Sequence, residues 1–147
     1  MNVSLAEAPF FSYNQAMEKE KDLSKIFKNY PAVKLVYLFG SRARDDAGPL
    51  SDYDFAVYAD IRDKKQLFDL KASLQQELSR RFKTDKVDIA VLNLIEPPEL
   101  KYNAIKEGKL IYEVEPFRVM VEPRILNEYF DFHYGLAKYG LTQARKK

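Results

Sequence analysis

The spacing of apolar and polar positions changes several times along this chain, and each change marks an element. Ser12 with Gln15 three positions later has the form of a capping box. Ala16, Leu23, Ile26, Phe27 and Tyr30 follow at roughly helical spacing, which predicts a first helix ending before Pro31. Val33 to Phe39 (VKLVYLF) is rich in β-branched and aromatic residues and stops at Gly40, the pattern of a buried strand running into a turn. A polar loop, Ser41 to Ser51, contains Gly48-Pro49, and Asp52 to Tyr58 reads as a second strand. From Lys64 to Phe82 the apolar positions Leu67, Leu70, Leu74 and Leu78 fall on one face of an amphipathic helix. Lys86 to Leu92 (KVDIAVL) alternates again, as a third strand.

Beyond Pro97-Pro98, a short helix is predicted from Glu99 to Glu107 and closed by Gly108, and Leu110 to Val114 supplies another strand. Glu122 and Pro123 have the form of a last helix's first turn, where proline is tolerated. That helix carries Tyr129, Phe130, Phe132, Tyr134 and Tyr139, with Gly135 and Gly140 weakening its far end and a fraying tail, Ala144 to Lys147. No internal repeat or low-complexity tract interrupts the order α-β-β-α-β-α-β-α. We expect an α/β (α+β) fold, a mixed central sheet flanked by helices. It forms a single domain over residues 1–147, with a core at about 20–115 and a helical extension at about 117–141.

The 147 residues suffice for one domain with a proper core. With 24 Lys+Arg against 22 Asp+Glu the net charge is +2, so nothing in the composition argues for a dedicated polyanion binder, and no direct nucleic-acid partner is expected. The absence of cysteine removes disulfides and thiolate metal sites. No basic stretch followed by an apolar core opens the chain, and no apolar run approaches the roughly 18 residues of a membrane span. A soluble, cytoplasmic protein is expected.

The candidate chemistry begins on the second strand. Side chains alternate across a strand, so Asp52 and Asp54 share one face, about 6 to 7 Å apart along the chain, while Tyr53 and Phe55 point to the other. Like charges so close are costly unless a cation sits between them, and Mg²⁺ with its preference for oxygen ligands meets that need. Asp88, flanked by Val87 and Ile89, shares a face of the third strand with Ala90. If the two strands are neighbours, three carboxylates converge as in two-metal phosphoryl or nucleotidyl transfer, with Asp88 a candidate general base. Gly40-Ser41 allows close backbone approach and hydroxyl donation to phosphate, and Arg42 and Arg44 follow where they can neutralise a triphosphate or simply face water. No Gly-Lys-Ser/Thr follows, which argues against P-loop chemistry.

Gly40-Ser41, ten intervening residues, Asp52-x-Asp54 and the later strand Asp88 resemble the polymerase-beta-like nucleotidyltransferase superfamily. Within it, the run GSRARDDAGPLSDYDFAVY is most similar to the minimal nucleotidyltransferase (MNT) antitoxins paired with HEPN-domain toxins. The resemblance covers roughly residues 20–115. It implies a Mg²⁺-dependent enzyme that transfers AMP from ATP to a tyrosine hydroxyl of its partner toxin. Gly40 and Ser41 would then bind the triphosphate, and Asp52, Asp54 and Asp88 the metals. Asp45-Asp46 depart from the pattern by placing acids near bound phosphate. The chain also lacks an arginine followed after four to six residues by His-x-Tyr, the mark of the modified toxin, which puts it on the modifying side of such a pair.

Other readings follow from the same residues. An inactive member would neutralise its toxin by occlusion alone, and a small-molecule nucleotidyltransferase would need a second substrate-binding domain or a dimer. His133, the single histidine, sits among aromatics and reads as a packing residue. The aromatic set at 129–139 exceeds one narrow stripe, so some members should remain exposed and available to a partner or a second copy.

Overall fold

The central strand of the molecule is buried on both faces, as its unbroken apolar run requires. In the computed structural model, which describes residues 23–39 and 53–140, this strand β1 (Val33–Phe39) pairs antiparallel with β2 (Tyr53–Ala59) on one side and with β4 (Lys109–Glu113) on the other. β2 in turn pairs parallel with β3 (Val87–Val91), giving a mixed four-stranded sheet in the order β3-β2-β1-β4. The expected mixed sheet with flanking helices is therefore present. The capping box at Ser12 and Gln15, the loop Ser41 to Ser51 and the tail Ala144 to Lys147 lie outside the described residues.

One face of the sheet is covered by α1, helical over residues 23–28, and by α2 (Lys64–Phe82). Leu67, Leu70, Leu74 and Leu78 bury the predicted face of α2 against Phe55, Val57, Ile89 and Val91. Asp63 caps the helix by accepting from the Gln66 N–H at 3.2 Å, and Lys83 ends it in the left-handed region at φ 55°. As the β2-to-β3 crossover, α2 makes their parallel pairing possible. Asn93, in the 3₁₀ turn Leu92–Leu94, holds the far end of β2 by bonding both the N–H (3.1 Å) and the C=O (2.7 Å) of Ala59.

The opposite face carries α3 (Pro98–Glu107) and α4 (Phe117–Lys138). Gly108 closes α3 with φ of −77°, so no left-handed conformation demands glycine there. Close approach does: a Cβ at this position would lie 2.3 Å from the Ala104 carbonyl oxygen.

The place of Pro123 in α4 corrects the sequence expectation. The helix begins at Phe117, and Pro123 lies inside it rather than in a first turn. An internal proline costs on the order of 3 kcal/mol. Opposing that cost, Val121 and Ile125 are buried against Leu35, Tyr37 and Leu92, with Phe117 packed beside them at the same four-residue interval. Burying two branched side chains stabilises by about 1.5 to 3 kcal/mol each. Glu122 adds an anchor by accepting from the Tyr37 hydroxyl at 2.5 Å and from Arg118 Nε at 3.2 Å. Packing outweighs the local signal.

Candidate active site

β2 and β3 run side by side with Asp54 in register with Asp88. Residues directly paired on neighbouring strands have Cα atoms about 4.8 Å apart and project to the same face. Which face follows from the flanking residues. Tyr53, Phe55, Val87 and Ile89 pack with α1 and α2, while Ala56, Tyr58 and Leu92 pack with α3 and α4. By alternation both carboxylates belong to the α3 and α4 face. Asp54 is half-buried and Asp88 exposed, so the pair sits where the layer opens to solvent.

Two contacts fix this register. The Tyr53 N–H donates to the Lys86 carbonyl at 2.8 Å, and the Tyr53 ring stacks on Phe82 with centroids 4.1 Å apart at 8°. On its other side Asp54 pairs with Phe39, the last described residue before Gly40. Phe39, which directly precedes Gly40, therefore lies beside the carboxylates. Asp52, Gly40, Ser41, Arg42 and Arg44 lie outside the described residues. Among the described residues no group of three acidic or imidazole side chains is placed to hold a metal ion. Two hard oxygen-donor carboxylates in register are nonetheless a fitting start for a divalent cation.

Beside the pair is a cavity of about 300 Å³ that the sequence reading did not anticipate. Ala56 and Ala90, two positions beyond Asp54 and Asp88, form its floor, and Phe39, Ile95, Leu100 and Asn103 its walls. Small residues at these two strand positions leave the space open. They were the available signal in the sequence; the 56% exposure of Leu100 on α3 is seen only in the fold.

Away from this site the aromatic end of α4 divides. Tyr129 stacks on Tyr102 of α3 with centroids 3.8 Å apart, and His133 packs against Tyr129 with its Nε2 3.6 Å from a Glu99 carboxylate oxygen. This is the packing role expected of His133. Phe130, Phe132, Tyr134 and Tyr139 remain exposed, as the excess of aromatic residues predicted. No described helix is long and apolar enough to cross a membrane.

The family model described as polymerase beta, nucleotidyltransferase matches residues 21–116. No match is found among curated proteins. Among solved structures, a chain of a toxin-antitoxin complex with AMP-PNP is 22% identical over 82% of this chain and 94% of its own, with a TM-score of 0.66. A chain of the MntA-HepT toxin-antitoxin complex is 22% identical over 84% and 94%, with a TM-score of 0.62. A chain of the complex between the tri-AMPylated Shewanella oneidensis HEPN toxin and its MNT antitoxin is 22% identical over 84% and 93%, with a TM-score of 0.61. At these identities the likeness is one of fold.

Proposed function

The chain belongs to the polymerase beta nucleotidyltransferase family, and on that premise we propose that it is an antitoxin. It acts as a Mg²⁺-dependent protein adenylyltransferase that transfers AMP from ATP to a tyrosine hydroxyl of a HEPN-domain toxin. The observation that carries the reading is the in-register pair Asp54 and Asp88 beside an open cavity, at the point where the chain passes into Gly40-Ser41. The partner is supported by fold likeness to chains from toxin-antitoxin complexes, one holding AMP-PNP and one an AMPylated toxin.

In this reading Asp52, Asp54 and Asp88 hold the metal, and Gly40 and Ser41, with Arg42 and Arg44, take the triphosphate. Bound Mg²⁺ supplies neutralisation of the charge that develops on the triphosphate and on departing pyrophosphate. The cavity over Ala56 and Ala90 receives the acceptor ring and aims its hydroxyl at the α-phosphorus. Asp88 takes the hydroxyl proton. The phenolic oxygen then bonds to the α-phosphorus as the bond to the bridging oxygen breaks, and pyrophosphate leaves with that electron pair. The products are an AMP phosphodiester on tyrosine and pyrophosphate.

Neutralisation of the co-expressed toxin separates catalysis from occlusion. With Asp52→Asn and Asp54→Asn together, rescue of toxin-inhibited growth should be lost although the two proteins still co-purify. Rescue retained by that variant would leave occlusion as the function.

A further inference from the structure

A second cleft lies at the opposite end of β2, where Leu92, Val121 and Ile125 form an apolar floor under a rim of Arg62, Lys64 and Arg124. Its volume is about 540 Å³, within the range that holds small organic ligands. Tyr58 and Phe117 form one wall, their ring centroids 6.3 Å apart. Tyr58 is four strand positions from Asp54, about 13 Å along the sheet, so this cleft is separate from the carboxylate pair.

The charges around it are unbalanced. Lys101 is committed to Glu128 at 2.7 Å. Among the described residues Arg62, Lys64 and Arg124 enter no ion pair, and the one further acid on the rim is Asp60. Positive groups gathered around one cleft repel each other, and an anion bound there relieves that repulsion while forming charge-assisted hydrogen bonds. The floor and the aromatic wall favour a planar apolar body on the same molecule. Asp60, Asp63 and Glu128 interrupt the surrounding surface, so the cations do not continue as the basic track a polynucleotide needs.

We propose that this cleft is a nucleoside polyphosphate site distinct from the catalytic centre, with the base on the Tyr58 and Phe117 wall and the phosphates on Arg62, Lys64 and Arg124. The site needs no divalent metal, because its own cations neutralise the phosphates.

Calorimetric titration of the full chain with ADP in EDTA tests it. We expect saturable binding that survives Asp54→Asn and weakens at least tenfold in an Arg62→Gln/Arg124→Gln double variant with unchanged melting temperature. An independent Lys64→Gln variant should show a smaller loss, and the double variant should retain toxin adenylylation. Absence of saturable ADP binding, or binding by the double variant as tight as by the parent chain, would overturn the site. Inorganic tripolyphosphate binding as tightly as ADP would overturn the nucleoside assignment. Single-stranded RNA held through the same arginines and not displaced by ADP would overturn it in favour of a polymer.

Discussion

The two faces of the sheet are lined by different residues. Toward α1 and α2, Phe55, Val57, Ile89 and Val91 meet a row of leucines, and Phe27, Leu74 and Leu78 are fully buried. Toward α3 and α4, the same two strands present Asp54, Ala56, Asp88 and Ala90, and the layer is left open as cavities. One alternating pattern thus yields a face that stabilises the sheet and a face free to hold ligands. Stability and chemistry should respond to different mutations.

The largest effect is expected on the packed face. Phe55→Ala removes a fully buried ring in contact with Phe27 and Phe82, and should destabilise by about 3 to 5 kcal/mol in urea unfolding. A loss under 1 kcal/mol would show that this face is not the main core. On the open face, Ala90→Leu fills the cavity floor and should lower kcat/KM for toxin adenylylation at least tenfold, about 1.4 kcal/mol. KM for ATP and the melting temperature should barely move, and an unchanged rate would remove the acceptor ring from that cavity.

Tyr37 ties β1 to α4 on the open face. Burial, and then its bond to Glu122, hold its hydroxyl well above the ordinary tyrosine pKa of 10.0. The folded protein therefore keeps this proton where the unfolded chain releases it. The contribution is complete below pH 10 and is lost as pH rises beyond it. Tyr37→Phe should cost about 1 kcal/mol at neutral pH, since Glu122 still accepts from Arg118, and should flatten the alkaline fall in stability. A residual slope between pH 10 and 12 is expected from Tyr30, whose hydroxyl is pushed up to about 12 by burial and by Glu77. Identical alkaline unfolding of Tyr37→Phe and the parent chain would contradict this assignment. The smallest effect on folding belongs to Tyr134→Ser, at an exposed position of α4. It should leave the melting temperature unchanged and weaken toxin binding several-fold, whereas unchanged affinity would exclude this end of α4 from the interface.

Much of the fold was legible because local and global signals agree. The unbroken run of β1, the leucine stripe of α2 and the alternation around Asp88 each state which faces are buried. The Asp54 and Asp88 pairing was readable as a shared face but not as a register, because neighbouring strands are chosen by the crossover helix rather than by either strand's own pattern. Pro123 misled because proline marks helix starts locally, while Phe117, Val121 and Ile125 act through contacts with β1 and β2 that linear order does not display. The cleft at the far end of β2 was illegible for the same reason. Arg62, Lys101 and Arg124 come from three separate segments and become neighbours only when α3 and α4 cross the sheet.

The most direct test of the central claim is intact-mass analysis of the co-expressed toxin after incubation with this protein, ATP and Mg²⁺, beside an Asp54→Asn control. The account predicts toxin masses raised by whole AMP units with the parent chain and none with the variant, both enzymes melting at the same temperature. AMP addition that persists in Asp54→Asn, or its absence with the parent chain despite a stable complex, would contradict it.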